Sequence, residues 1–272
     1  MHLRVRVPAR VNIIGEHTDY AGGLALPFAV DRYLELTAKR TDSNFVGEEV
    51  VIDLWRCAGG WPAEIQVKSE IPIGKGMSSS AALCLAIVLA VNDSIDQLNA
   101  CQEAQRIEHE ILKTPCGLLD QMAMMYGKLN HASLIDFSQL SVKSIPIPED
   151  WKFKLVDSGI NRKLSETQYN QTSQEAYVKQ ENERVKQALN ASPIELGKLL
   201  NHSHQYLTMI GVSTPEVDIL VKELQHTEGV LGARMMGGGF GGMILVLVDG
   251  ESVLPNLPIV NSSSGPIVEE IL

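Results

Sequence analysis

The sequence predicts a mixed α+β fold, and three observations lead there. Short stretches alternate apolar and polar residues with the two-residue period of a strand, as in Leu3 to Val7 and in KFKLVD at Lys152 to Asp157. Longer stretches carry apolar residues at helical spacing, as in Leu98 to Leu112, where Cys101, Ala104, Ile107 and Ile111 share one face. The two kinds of segment do not alternate in the regular strand–helix–strand order of a parallel α/β sheet.

The elements follow in order. MHLRVRVPARVN reads as a strand over Leu3 to Val7, which Pro8 is expected to end, and it has no apolar core of a signal peptide. Leu34 to Lys39 and Ala63 to Lys68 also have strand character. Ala81 to Val91 is rich in helix formers and long enough for about three turns, a buried helix. After Leu98 to Leu112, TPCGLLDQMAMMYG is a break followed by a short helix whose Met122, Met124 and Met125 fill core space. Ser165 to Leu189 is polar and charged and reads as an exposed helix. Val217 to Glu228 reads as a helix ending at Gly229, and Met243 to Val248 as a strand. SVKSIPIPEDW, with two prolines, marks a boundary that divides the chain into residues 1–145 and 146–272.

The totals bound the function. A chain of 272 residues with 44% hydrophobic content can build one large core or two smaller ones. A net charge of -10 argues against a broad nucleic-acid surface. It leaves room for a small phosphorylated ligand, because backbone amides can bind phosphate on an acidic protein. Cys57, Cys84, Cys101 and Cys116 form neither a CxxC pair nor a zinc spacing, which reads as reduced thiols in a cytoplasmic protein. The longest apolar run is too short and too interrupted to span a bilayer, so no membrane partner is expected.

Four stretches could do chemistry. IPIGKGMSSSAA, at Ile71 to Ala82, is a glycine-rich loop feeding a helix N-terminus, with Ser78, Ser79 and Ser80 as capping candidates. Unpaired amides and a positive dipole there suit an anion, phosphate by default. The stretch alone fits an ordinary capped helix equally well, and it matches neither of the two commonest nucleotide-binding spacings. ARVNIIGEHTDYAGG, at Ala9 to Gly23, packs Arg10, Asn12, Glu16, His17, Asp19 and Tyr20 into one loop. Such groups suit sugar hydroxyls, which both donate and accept, or else a polar surface turn. EHEILKTPCGLLDQ holds Glu108 and Asp120, two carboxylates that could divide a phosphoryl-transfer site between a metal and an accepting hydroxyl, or be solvated helix charges. RMMGGGFGG, at Arg234 to Gly242, sets five glycines around Phe240 just before an apolar strand, which suggests close backbone approach. His109 reads as packed or capping, and His202 and His204 as hydrogen-bonding, with no third metal ligand nearby.

Taken together these stretches resemble the galactokinases, members of the GHMP small-molecule kinases. RVNIIGEHTDY is similar to their N-terminal signature, PIGKGMSSSAA to their phosphate loop, PCGLLDQ to the segment of their catalytic aspartate and GGGFGG to their third motif. NHSHQYLTMIGVSTPEVDILV is similar to the segment before that motif, and the similarity runs from about Arg4 to the C-terminus. The resemblance implies two lobes, an N-terminal mixed α+β lobe and a C-terminal ferredoxin-like lobe, with the site between them. It implies phosphorylation of galactose at the C1 hydroxyl, with ATP and Mg²⁺ as cofactors and small molecules as the only partners. Asp120 would face the C1 hydroxyl and Arg10 would stabilise charge beside it. Glu16, His17, Asp19, the backbone at Gly117 and Tyr169 would bind the sugar. Ser79 and Glu108 would hold Mg²⁺, and Gly74, Lys75, Gly76, Met77, Ser78 and Ser80 would line the phosphates.

The departures from the family are specific. The chain is short between Asp53 and Ala63 and between Tyr169 and Asn201, and the first of these gaps falls where galactokinases carry a helix of the adenine pocket. Lys75 and Met77 stand where glycine or alanine and leucine are commoner, and DYAGG lacks the asparagine that commonly follows the tyrosine. A related sugar-1-kinase, acting for instance on N-acetylgalactosamine, and a galactose-binding regulator without turnover are the alternative readings. The oligomeric state is not legible, with a monomer as the expectation.

Overall fold

The longest strand pair organises the chain. In the computed structural model, which describes residues 1–72, 74–160 and 174–271, β1 (His2–Asn12) and β3 (Pro27–Arg40) run antiparallel over their whole lengths. β4 (Ala63–Ser69) lies outside β3, and β10 (Ile267–Glu270), from the far end of the chain, lies outside β1, giving the order β10-β1-β3-β4. Pro8 does not end β1. The register shifts between Pro8 and Ala9, and β10 pairs only with Leu3 to Arg6. A proline without an amide hydrogen fits at such an irregularity, beyond the part of the strand that has partners on both sides.

Behind this sheet sits α2 (Ser79–Val91), whose apolar residues occupy every face. It is buried on all sides because β1, β3, α1 (Glu49–Cys57), α3 (Gln97–Ile107) and α4 (Leu119–Met125) surround it. Burying each of its Leu, Ile and Val side chains contributes about 1.5–3 kcal/mol relative to exposure. Met122, Met124 and Met125 of α4 are buried in the same core. α3 carries Cys101, Ala104 and Ile107 inward, as their spacing predicts, but the helix does not run unbroken to Leu112: Glu108–Leu112 form a π-helical turn. Ser141–Pro146, read in the sequence as part of a boundary, is a strand, β6; it pairs with β5 (His131–Asp136), which pairs in turn with β2 (Leu24–Ala25).

The third sheet has the order β7-β9-β8, from β7 (Lys152–Asp157), β9 (Met243–Val248) and β8 (Val230–Met235). MILVLV is apolar throughout because β9 is central and covered on both faces. Met243, Leu245 and Leu247 join the main core, while Ile244, Val246 and Val248 join a second core under α6 (Pro193–Met209) and α7 (Pro215–Gln225). α5 (Gln174–Ala188) is not simply exposed: Tyr177, Val178, Glu181, Arg184, Val185 and Ala188 are buried along one face. Among the described residues no helix is long and apolar enough to cross a membrane.

Candidate active site

The end of β1 carries a charge into the interior. Arg10 and Asn12 lie two residues apart, on one face of the strand, and both are buried. A buried guanidinium needs its charge and its donors matched. Arg10 donates to the Gly76 carbonyl through one Nη and pairs with Asp120 Oδ1 at 2.7 Å through the other. It thereby ties the glycine-rich loop to the first turn of α4.

The loop itself has an unusual backbone. Gly74 and Gly76 take φ of 73° and 77°, and Ser78, the N-cap of α2, is left-handed at φ 62° and ψ 49°. That conformation corrects the capping expectation: the Ser78 side chain makes no cap and donates instead to Asp120 Oδ2. The opening amides of α2 therefore have no hydroxyl across them, at the positive end of the helix dipole. Met77 is wholly buried in the main core, so its side chain is packing. Lys75 pairs with Asp157 at 2.9 Å.

Ser79 opens α2, and the next residue, about 100° further round the helix, is the one that meets Glu108. Ser80 donates to Glu108 Oε1 at 2.7 Å, and Gln121 Nε2 donates to Oε2 at 2.9 Å. The hydroxyl brought to Glu108 is thus that of Ser80 rather than Ser79. Glu108 stands at the start of the π-turn and is buried at 2% exposure. Burial raises its pKa above the ordinary carboxylate value; the Ser80 hydrogen bond opposes the rise and the charge of Asp120 adds to it.

On the sugar-motif side, Asp19 lies against the PCGLLD segment. Its Oδ2 accepts from the Leu119 amide at 3.2 Å, and a Cβ on Gly117 would stand 1.9 Å from that oxygen, so a side chain there would displace the Asp19 carboxylate. Burial, and after it the charge of Asp120, raise the Asp19 carboxyl to about 6. His17 is buried, with φ 56°, and meets the Tyr20 ring edge-on at 6.1 Å. Glu16 points to the third motif: Oε1 accepts from the Gly237 amide at 2.7 Å and pairs with Arg234 at 3.3 Å. Burial works to raise the Glu16 pKa, but Arg234, Arg10 and the Gly237 amide outweigh it and hold the group below its ordinary value. Tyr169 lies outside the described residues.

Several structural partners had no assignment from sequence. Gln121, next to Asp120 in PCGLLDQ, holds Glu108. Arg234 donates to the carbonyls of Asn12, Ile13 and Met235 as well as to Glu16. From α5, Tyr177 donates to the Glu16 carbonyl at 2.7 Å, and Glu181 accepts from the Gly15 amide at 3.0 Å. The spacing of Tyr177, Val178, Glu181, Val185 and Ala188 on a single helical face was the available signal. His204 accepts from the Met235 amide at 3.4 Å, and His109 from the Cys116 amide at 3.1 Å. No group of three or more His, Cys, Asp and Glu suited to a metal occurs among the described residues.

Comparison with known proteins points to one family over most of the chain. Residues 3–40 match the galactokinase galactose-binding signature, residues 44–128 the GHMP kinases N terminal domain and residues 185–257 the GHMP kinases C terminal domain. The chain is 34% identical to galactokinase of Thermotoga maritima, covering 90% of this chain and 89% of that one. It is 30% identical to galactokinase of Pyrococcus furiosus, covering 91% and 89%. The Thermotoga alignment spans 311 positions against 272 residues here, so that relative carries residues with no counterpart in this chain. Among solved structures, Lactococcus lactis galactokinase complexed with galactose superposes with a TM-score of 0.84 at 25% identity, over 98% of this chain and 95% of that one. The fold is also that of L. major mevalonate kinase in complex with R-mevalonate, with a TM-score of 0.74 at 18% identity, over 96% of each chain.

Proposed function

The chain belongs to the galactokinases within the GHMP kinases, and on that footing we propose that Asp120, Arg10 and the backbone amides at the end of the glycine-rich loop transfer a phosphoryl group from ATP to the C1 hydroxyl of galactose. The chain is a sugar kinase, and galactose is its substrate. The observation that carries the assignment of the site is the position of Asp120, held by Arg10 on one oxygen and by Ser78 on the other, at the junction of the sugar motif and the glycine-rich loop.

In this reading the amides that open α2 receive the phosphates of the nucleotide. Asp120 orients the sugar hydroxyl and takes its proton as the new P–O bond forms and the bond from the γ-phosphorus to the departing ADP breaks, and Arg10 balances the charge that develops beside it. Phosphoryl transfer runs largely on positioning and electrostatics, which such a fixed pair supplies. Asp19, His17 and the backbone at Gly117 face the sugar, with Glu16 ordering their loop against Gly237.

Glu108 and Ser80 fit Mg²⁺. They are hard oxygen donors, and the hydrogen-bond partners of the buried Glu108 carboxylate, Ser80 and Gln121, are neutral. A bound ion would neutralise charge on the phosphates. The four free thiols support the cytoplasm as the location. For the lobes we propose residues 1–145 and 146–272, with β10 crossing that division to reach β1.

Asp120→Asn keeps the shape and removes the charge, so turnover should fall by about a hundredfold or more while galactose still binds. Calorimetry and an ADP-release assay on the variant check this, and normal turnover would remove Asp120 from its role. The direct test incubates the protein with Mg-ATP and a panel of hexoses and reads ADP release and the product by NMR. Phosphate at C1 of galactose is the expected product. A preference for another sugar would move the chain to a related sugar-1-kinase activity.

A further inference from the structure

Lys75 is the one charged residue in the glycine-rich loop, and its contacts lie with the C-terminal part of the chain. Its Nζ is 2.9 Å from both carboxylate oxygens of Asp157, the last residue of β7. Asp157 is itself oriented, because its Oδ1 also accepts from the Gly159 amide at 2.9 Å. The backbone of Lys75 reaches the third motif: its carbonyl accepts from the Met243 amide at 2.9 Å. Gly242 packs on that carbonyl so closely that a Cβ would stand 2.8 Å away. The carbonyl of the following residue, Gly76, accepts from Arg10. The loop is thus held from β1, from β9 and from β7, and the last of these ties is made by the Lys75 side chain.

We infer that Lys75 is a positioning residue whose pairing with Asp157 anchors the phosphate loop to the end of β7, and that it is not a ligand of the phosphates. The inference rests on reading this loop as the nucleotide site. A lysine that bound phosphate directly would act independently of Asp157. Asp157, a negative charge near the anion, would then weaken nucleotide binding, and its removal would tighten it. A lysine that anchors the loop makes the opposite demand: loss of either partner loosens the loop and weakens binding alike.

The test uses the full chain with Lys75→Met, Asp157→Asn, the double variant and the exchange of Lys75→Asp with Asp157→Lys. Binding of a fluorescent ADP analogue is titrated, and nucleotide KM and kcat are measured beside it. Each single variant should raise Kd and KM about 1.5- to fivefold, the range for a partly exposed ion pair, with kcat within about twofold. The double variant should be no worse than either single one, and the exchange should recover most of the loss. The difference from wild type should shrink at high salt, as screening removes the pair. Weaker binding in Lys75→Met with tighter or unchanged binding in Asp157→Asn would make Lys75 a phosphate ligand and overturn the inference. Unchanged binding in both would reduce the pair to a surface contact. Wild-type protein that bound no nucleotide would overturn the nucleotide reading itself, a result separable from indifferent variants on a binding-competent wild type.

Discussion

Asp19 links the EHTDY stretch to the PCGLLDQ segment, and its titration is a measurable consequence. With the carboxyl raised to about 6 by burial and by Asp120, between the ordinary carboxylate range and about pH 6 the folded protein holds a proton there that an unfolded chain has already released. The sign follows directly: this group's contribution favours the folded state below the ordinary carboxylate range and declines as pH rises toward about 6. Sugar binding runs the other way, because hydroxyls donate to a carboxylate. Galactose affinity should therefore fall as pH drops through about 6. In Asp19→Asn the affinity should be lower and flat with pH. Calorimetric titration at several pH values on both proteins checks this, and a pH-independent wild type would contradict it. Much of this scale was legible in the sequence, since the residue types of EHTDY and PCGLLDQ state what they can donate and accept. That Gly117 leaves room for the Asp19 carboxylate was not, because the two lie about a hundred residues apart.

At the scale of elements, helix ends decide how the site is presented. α6 begins with a complete capping box, in which Ser192 accepts from the Glu195 amide and Glu195 reaches back to the Ser192 amide. Ser192→Ala should lower the melting temperature by about 2–4 °C and leave turnover unchanged. A scanning calorimeter reads this directly, and an unshifted midpoint would mean that the cap contributes nothing. α2 begins in the opposite way, with a left-handed Ser78 that leaves the helix amides uncapped and gives its hydroxyl to Asp120. Serines before an apolar run predict a cap, and here composition alone could not separate a capped helix from an uncapped one. The π-turn at Glu108 is similar: the helical spacing of Cys101, Ala104 and Ile107 was visible, while the widened turn that begins at Glu108, and the hydrogen bonds of Glu108 with Ser80 and Gln121, were not.

Across the whole molecule, a buried ion pair joins the sugar motif to the third glycine-rich motif. Arg234 is wholly buried and donates to the carbonyls of Asn12 and Ile13, while Glu16 takes both Arg234 and the Gly237 amide. Removing one partner of such a pair strands a buried charge, so Arg234→Met should cost about 3–5 kcal/mol of stability in denaturant unfolding. A loss below about 1 kcal/mol would show that the motifs are held together by their apolar packing alone. β9 supports the same union, since its alternate residues enter the two cores and couple them through one strand.

Local properties determined a great deal. The period of apolar residues determined the α+β class, the buried helix behind the serines and the strands at Lys152 to Asp157 and Met243 to Val248. The motif strings determined the resemblance to galactokinases, because side-chain chemistry at close sequence spacing is written in the chain itself. Tertiary structure alone decided that Pro8 lies within a strand, that Ser80 rather than Ser79 meets Glu108, that Glu16 faces Gly237 and that Lys75 reaches Asp157. These depend on register, on a helix turn of about 100° and on contacts between residues far apart in the chain. A one-dimensional pattern does not contain those angles, and the packed core sets them.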